Sequence, residues 1–173
     1  MKKDFVFPIL ALSLICLVMT AALAVVNETT KPIIESAAIE RQFAAMQDII
    51  PSADAFIEME IEPLPSTIVS AYRAINETGY IFIVRSGGFG GEMRIMSGWT
   101  MDGRFIASRV LQHIETVSFA NRVFGIRDSY ESQGQSLLEV DAISGATITF
   151  RAYQRALSDA KEALEIVRGQ KYD

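Results

Sequence analysis

The chain has little of what metal and thiol chemistry draws on. Among its 173 residues there is one cysteine, Cys16, and one histidine, His113. A lone cysteine inside an apolar run excludes a disulfide framework, a zinc site built on cysteine spacing and a cysteine-ligated iron–sulfur cluster. A single histidine leaves no multi-histidine metal or haem site within this chain. A basic block is also missing: the formal net charge is -5. Lys2, Lys3 and Asp4 contribute +1 of that, which leaves -6 for the remainder. A mildly acidic domain of this kind argues against nucleic acid as a partner. Any redox chemistry here needs an organic cofactor.

What the chain does have begins at Phe5, where an uncharged, strongly apolar run extends to Val26. At about 1.5 Å rise per residue it is long enough to cross a hydrocarbon core of about 30 Å. Lys2 and Lys3 precede it, so the positive-inside rule keeps residues 1–4 in the cytoplasm and sends residues 27–173 across. Ala22-Leu23-Ala24 has the small-x-small form of a signal cleavage site. The run exceeds an h-region of about 7–15 residues, however, and it reads as a retained anchor over 5–26. Cys16 follows Ile15 where a lipobox wants a small residue, so it reads as a plain membrane residue.

Beyond a polar stretch from Asn27 to Lys31, Pro32 opens a helix, as proline does well in a first turn. Ile39, Phe43, Met46 and Ile50 fall at helical spacing and predict a core-facing helix that ends before Pro51. Residues 52–66 read as an irregular edge segment. The period then changes to two. Ile68 to Ile75 and Tyr80 to Val84 are rich in β-formers, a strand leads through Trp99, and Arg104 to His113 returns after the turn signal Asp102-Gly103. The cluster Ser86-Gly87-Gly88-Phe89-Gly90-Gly91 reads as a bulged turn, because a phosphate-binding G-x-G-x-x-G would need glycine at Met93 and a helix after it. The expected fold class is α+β: one transmembrane helix, then a mostly antiparallel sheet packed with N- and C-terminal helices and covered on one face.

In the last segment Tyr153, Ala156, Leu157, Ala160, Leu164 and Val167 make a helical apolar stripe, stopped by Gly169. Asp141-Ala142-Ile143-Ser144-Gly145-Ala146-Thr147 stands at its mouth. Ser144 is an N-cap candidate and Gly145 permits the chain to reverse. Read blandly, this is a cap followed by small residues that pack closely. Read sharply, a hydroxyl is delivered to a helix N-terminus, where unpaired N–H groups and the dipole favour phosphate.

The sharper reading gains from a resemblance. Asp141-x-x-Ser144-Gly145-Ala146-Thr147 matches the Asp-x-x-Ser/Thr-Gly-Ala-Thr sequence of FMN-binding subunits whose flavin is joined to the last threonine through its phosphate. Five fixed positions at about 6% usage each coincide by chance roughly once per million positions. The chain resembles the family that includes the G subunit of the Rnf electron-transport complex and, less closely, the C subunit of the sodium-pumping NADH:quinone reductase. The likeness takes in the N-terminal membrane helix, Thr30-Lys31-Pro32, Gly88-Phe89-Gly90-Gly91, Asp102-Gly103 and His113-Ile114-Glu115-Thr116. The family usually has tyrosine at the Phe89 position, commonly continues Glu-Thr with Pro-Gly-Leu-Gly, and has a small hydroxyl residue in place of Phe150. Here the continuation is Val117-Ser118-Phe119-Ala120.

The resemblance implies FMN held covalently by a phosphoester to Thr147, with Asp141, Ser144, Gly145 and Ala146 forming the attachment segment and Glu115 and Thr116 in the flavin pocket. With one cysteine and one histidine, no metal site is expected in the chain. The resemblance also implies two kinds of partner: a separate transferase using FAD and a divalent metal, and the membrane subunits of an Rnf-like redox complex. The expected role is an electron-carrier subunit of an ion-translocating oxidoreductase, not catalytic alone, in the cytoplasmic membrane with its domain outside. A stand-alone extracytoplasmic flavin reductase, motivated by the altered loop at 117–120, and a flavin-less structural module, motivated by that loop and Phe150, are the alternatives.

Overall fold

The computed structural model describes residues 2–60, 63–113, 122–123, 125 and 144–170. The chain divides into two compact units, Met1–Phe43 and Ala44–Asp173. Helix α1 (Lys2–Ile49) runs through Pro8 and Pro32. Among the described residues it is the one helix long and apolar enough to cross a membrane. The separate helix expected to open at Pro32 is therefore a continuation. Proline removes one intrahelical bond and crowds the carbonyl four residues back, at a cost of about 3 kcal/mol. That does not break a helix whose flanks on both sides have helical sequence. Near this point the Thr29 hydroxyl donates to the carbonyls of Val25 and Val26, at 3.1 and 3.0 Å.

The expected stripe on this helix divides. Met46 and Ile50 are buried, whereas Ile39 and Phe43 are 57% and 49% exposed. Only the segment from Ala44 onward belongs to the unit that holds the sheet.

That sheet has five strands in the order β1-β2-β3-β4-β5, every pair antiparallel. They are β1 (Phe56–Glu58), β2 (Ile68–Ala74), β3 (Gly79–Gly87), β4 (Glu92–Thr100) and β5 (Phe105–Gln112). The short edge strand β1 lies inside the segment expected to be irregular. The other four fall where the period-two pattern and the turn signals put them. At Asp102-Gly103 the hairpin closes with Gly103 N–H donating to Thr100 O at 3.0 Å, and Gly103 has φ +92°.

Both faces of the sheet are covered, not one. In β3 the run Tyr80-Ile81-Phe82-Ile83-Val84 is apolar without interruption, which is what burial on both faces requires. Tyr80, Phe82 and Val84 join Met93, Ile95 and Trp99 of β4 under the C-terminal helix α2 (Thr147–Gln170). Ile81, Ile83 and Met96 face the other way, onto Met46, Ile49, Ile50 and Ala53. Register explains the pairing: Tyr80 stands opposite Trp99, Phe82 opposite Ser97 and Val84 opposite Ile95. Trp99 is thus a packing residue, edge-on to Phe105 at 5.3 Å, with its indole N–H donating to Ser97 Oγ at 3.0 Å.

Helix α2 buries the expected stripe and adds Phe150, Ala152 and Ala163 to it. Each large apolar side chain so buried contributes about 1.5–3 kcal/mol. Inside this layer the Tyr153 and Ser108 hydroxyls are 2.7 Å apart, tying α2 to β5. On the rim Thr67 Oγ1 donates to Asp159 Oδ2 at 2.7 Å. The helix that starts at Thr147 is thereby held over the middle of the sheet.

Candidate functional site

The segment from Asp141 to Thr147 is described from Ser144 onward. Ser144 and Gly145 form a turn, and Gly145 has φ +81°, the left-handed conformation glycine tolerates best. The first intrahelical bond runs from Phe150 N–H to Ala146 O, at 2.9 Å. By that criterion Ala146 is the N-cap. Ser144, the expected cap, lies in the turn itself, two residues before Ala146, and is exposed. Gly145 has already redirected the chain, so the serine is displaced from the capping position by its own reversal. The alanine that replaces it brings no side-chain oxygen to the first turn.

Thr147 is the first residue of α2 and is half-buried. It lines a cleft of about 250 Å³ with Gly145, Ala146, Ile148, Thr149 and Phe89. Phe89 comes from the far side of the sequence, at the tip of the β3–β4 hairpin. There Gly88 N–H donates to Gly91 O at 2.8 Å, and Gly91 has φ +143°. The glycine cluster is a turn between strands, as its spacing predicts, and the turn carries its one large side chain to the mouth of α2.

Two large apolar side chains stand in solvent beside the threonine: Phe89 is 61% exposed and Ile148 54%. Such a pair has flat apolar surface to offer an aromatic ring, while the helix start favours a phosphate. The residues present thus fit a molecule with a phosphate at one end and a planar ring system at the other.

A cation closes the upstream side. Arg122 Nη1 donates to Ser144 O at 3.5 Å, and a Cβ added to Gly145 would lie 2.6 Å from the same nitrogen. Sequence reasoning missed Arg122, since it sits in a stretch with no periodicity and no motif spacing. Asp141, Glu115 and Thr116, together with the loop at 117–120, lie outside the described residues. His113, two positions from Glu115, is exposed at the end of β5. Of the expected site residues the structure therefore brings together Ser144, Gly145, Ala146 and Thr147, and adds Phe89, Ile148 and Arg122. No group of three or more potential metal ligands occurs among the described residues.

Comparison with known proteins points the same way. Residues 88–162, from the glycine turn into the middle of α2, match the family described as FMN-binding domain. The chain is 27% identical to the G subunit of an ion-translocating oxidoreductase complex of Stutzerimonas stutzeri, covering 88% of this chain and 78% of that protein. A protein of the same description from Cereibacter sphaeroides is 28% identical over 83% of this chain and 76% of its own length. The G subunit of the proton-translocating ferredoxin:NAD(+) oxidoreductase complex of Clostridium ljungdahlii is 22% identical, with 92% and 91% covered.

Proposed function

We propose that the chain, whose residues 88–162 match the FMN-binding domain family, carries FMN covalently through a phosphoester to Thr147. In this reading it relays electrons within a membrane-bound, ion-translocating oxidoreductase of the Rnf type. One observation carries the covalent part. The last residue of the Asp-x-x-Ser-Gly-Ala-Thr segment is the first residue of α2 and opens onto a cleft walled by exposed Phe89 and Ile148. The relatives' membership of ion-translocating complexes supports the relay.

The flavin, when bound, supplies one-electron steps that no side chain of this chain can supply. The chain's own contribution is position. Gly145 turns the backbone so that Thr147 opens a helix, and the positive end of the helix dipole meets the phosphate. Phe89 and Ile148 keep water from part of the ring. A threonine hydroxyl is too weakly acidic to attack a phosphate unaided, so a separate transferase is required. In the transfer, Thr147 Oγ bonds to the FMN-side phosphorus of FAD and loses its proton to a base of the transferase. The phosphoanhydride bond breaks, and AMP leaves with the bridging oxygen.

The apolar run of α1 anchors the domain through residues 5–26, with the N-terminus in the cytoplasm and the domain outside. There, where free FMN is scarce, a covalent bond retains a cofactor that reversible binding would lose. Intact-mass analysis tests the proposal on the full chain co-expressed with a flavin transferase. A mass increase of one FMN less one water, and a fluorescent band after denaturation, are expected for the wild type and absent from Thr147→Ala. Wild-type protein that gains neither would refute it.

A further inference from the structure

The basic residues of α2 are unevenly placed. Thr147, Arg151 and Arg155 follow at i, i+4 and i+8, which puts them on one face of the helix. Helical side chains lean toward the N-terminus, so an arginine at 151 reaches back over the turn that Thr147 opens. A cleft of about 390 Å³ is lined by Ile148, Arg151, Gln154 and Arg155. It shares Ile148 with the cleft of Thr147, so the two adjoin.

The neighbouring cations are already occupied. Arg155 Nη2 donates to Gly87 O at 3.4 Å, and Arg122 to Ser144 O. Arg151 is exposed and makes no hydrogen bond or ion pair among the described residues.

The sign of the local field matters here. The first turn of α2 has no acidic residue, and its N-cap is alanine. The macrodipole favours an anion at the helix start, an effect confined to the first turn, and Arg151 just beyond that turn adds a positive charge of its own. An anion on Thr147 would supply the opposite charge that the first turn lacks.

We propose that Arg151 is the positioning residue for the phosphoryl group on Thr147, its guanidinium acting as counter-ion one turn along the helix. The proposal rests on the reading that Thr147 is the attachment point. A phosphodiester keeps one negative charge, and a planar guanidinium can hold both of its free oxygens. Holding them fixes the direction in which the flavin leaves the helix, toward Phe89 and Ile148.

The test is a cycle between the modification and the arginine. Full-length wild type, Arg151→Gln and Arg151→Lys are prepared in one detergent, each with and without the adduct, and their melting temperatures are measured calorimetrically. In the wild type at low salt the adduct is expected to raise Tm by about 1–2 °C, the scale of an i,i+4 charge pair. That rise should fall below half in Arg151→Gln, be partly restored in Arg151→Lys, and shrink in the wild type at ~0.5 M salt. An equal rise in wild type and Arg151→Gln overturns the proposal. Should Arg151→Gln take up no flavin, the lysine variant decides: an adduct restored by lysine supports a charge requirement, and one missing from both overturns it. Intact mass is read first, so a wild type without adduct refutes the assignment of Thr147 and is not confused with either outcome.

Discussion

Adding one methyl group at Gly98 probes the layer on which the whole domain rests. Gly98 lies inside β4, opposite Ile81 on one side and Ala107 on the other. By strand propensity alone, alanine should be the better residue there, by about 0.5–1 kcal/mol. The structure reverses the sign. A Cβ at Gly98 would overlap Ile49 Cγ2 and would also reach Ile49 Cβ at 3.5 Å and Ile50 Cγ1 at 3.7 Å. Ordinary carbon–carbon spacing is about 3.5–4.0 Å, so the first of these contacts cannot stand. Ile49 is 1% exposed, and a β-branched side chain in a helix has one preferred χ1, so it cannot simply swing aside. Overpacking of this kind costs about 1–3 kcal/mol; after the propensity gain, Gly98→Ala should lose about 1–2 kcal/mol net. For a domain of this size that lowers Tm by roughly 3–6 °C. The assay is thermal unfolding of the full chain in detergent, repeated in an Ile49→Ala background where the offending methyl is gone. There Gly98→Ala should cost nothing or stabilise. Ile49→Val keeps that methyl and should keep the penalty. An unchanged or raised Tm for Gly98→Ala alone, or the same loss in both backgrounds, would refute the packing argument.

Three further outcomes are expected. Gly145→Ala forces a side chain into φ +81° and displaces Arg122; it should cost about 1–2 kcal/mol and lower the fraction of chains carrying the adduct by intact mass. Phe89→Ala removes an exposed side chain from the hairpin tip, so stability should move by less than about 0.5 kcal/mol. Iodide should nonetheless quench the attached flavin more strongly than in the wild type, and equal quenching would remove Phe89 from the wall. Thr67→Val deletes the hydroxyl that donates to the Asp159 carboxylate. A loss of about 1 kcal/mol in denaturant unfolding is expected, and no loss would show that solvent replaces the bond at no cost.

How much of this was legible in the sequence depends on how local the cause is. Strands β2 to β5 were readable because alternation and turn residues such as Asp102-Gly103 act within a few positions. The stripe of α2 was readable for the same reason. Coverage of both sheet faces was also there to be read, in the unbroken apolar run Tyr80–Val84. The other expectations failed where a local signal was outweighed. Pro32 read as a helix start, yet one lost bond does not end a helix with helical sequence on both flanks. Ser144 read as the cap, yet the left-handed Gly145 moved the helix start two residues on. At the candidate site, the turn at Ser144-Gly145 and the helix beginning at Thr147 were legible because their residues are contiguous. Phe89 reaches it through a hairpin and Arg122 from a stretch without pattern. Juxtapositions of that kind exist only once the chain has folded.

The meander has a consequence for the order in which the domain assembles. Every strand pairs with its neighbour in sequence, so the sheet is made from local contacts, which form quickly. Helix α2 closes the larger core only after the chain has traversed the whole segment between β5 and Ser144. Pulse-labelled hydrogen exchange during refolding should therefore protect amides of β3 and β4 before those of α2, and the opposite order would contradict this. On that order Thr147 would take its place in the cleft at the last step. A bond formed to that hydroxyl in its cleft would then mark molecules whose sheet and helix have already docked, and incompletely folded chains would remain colourless.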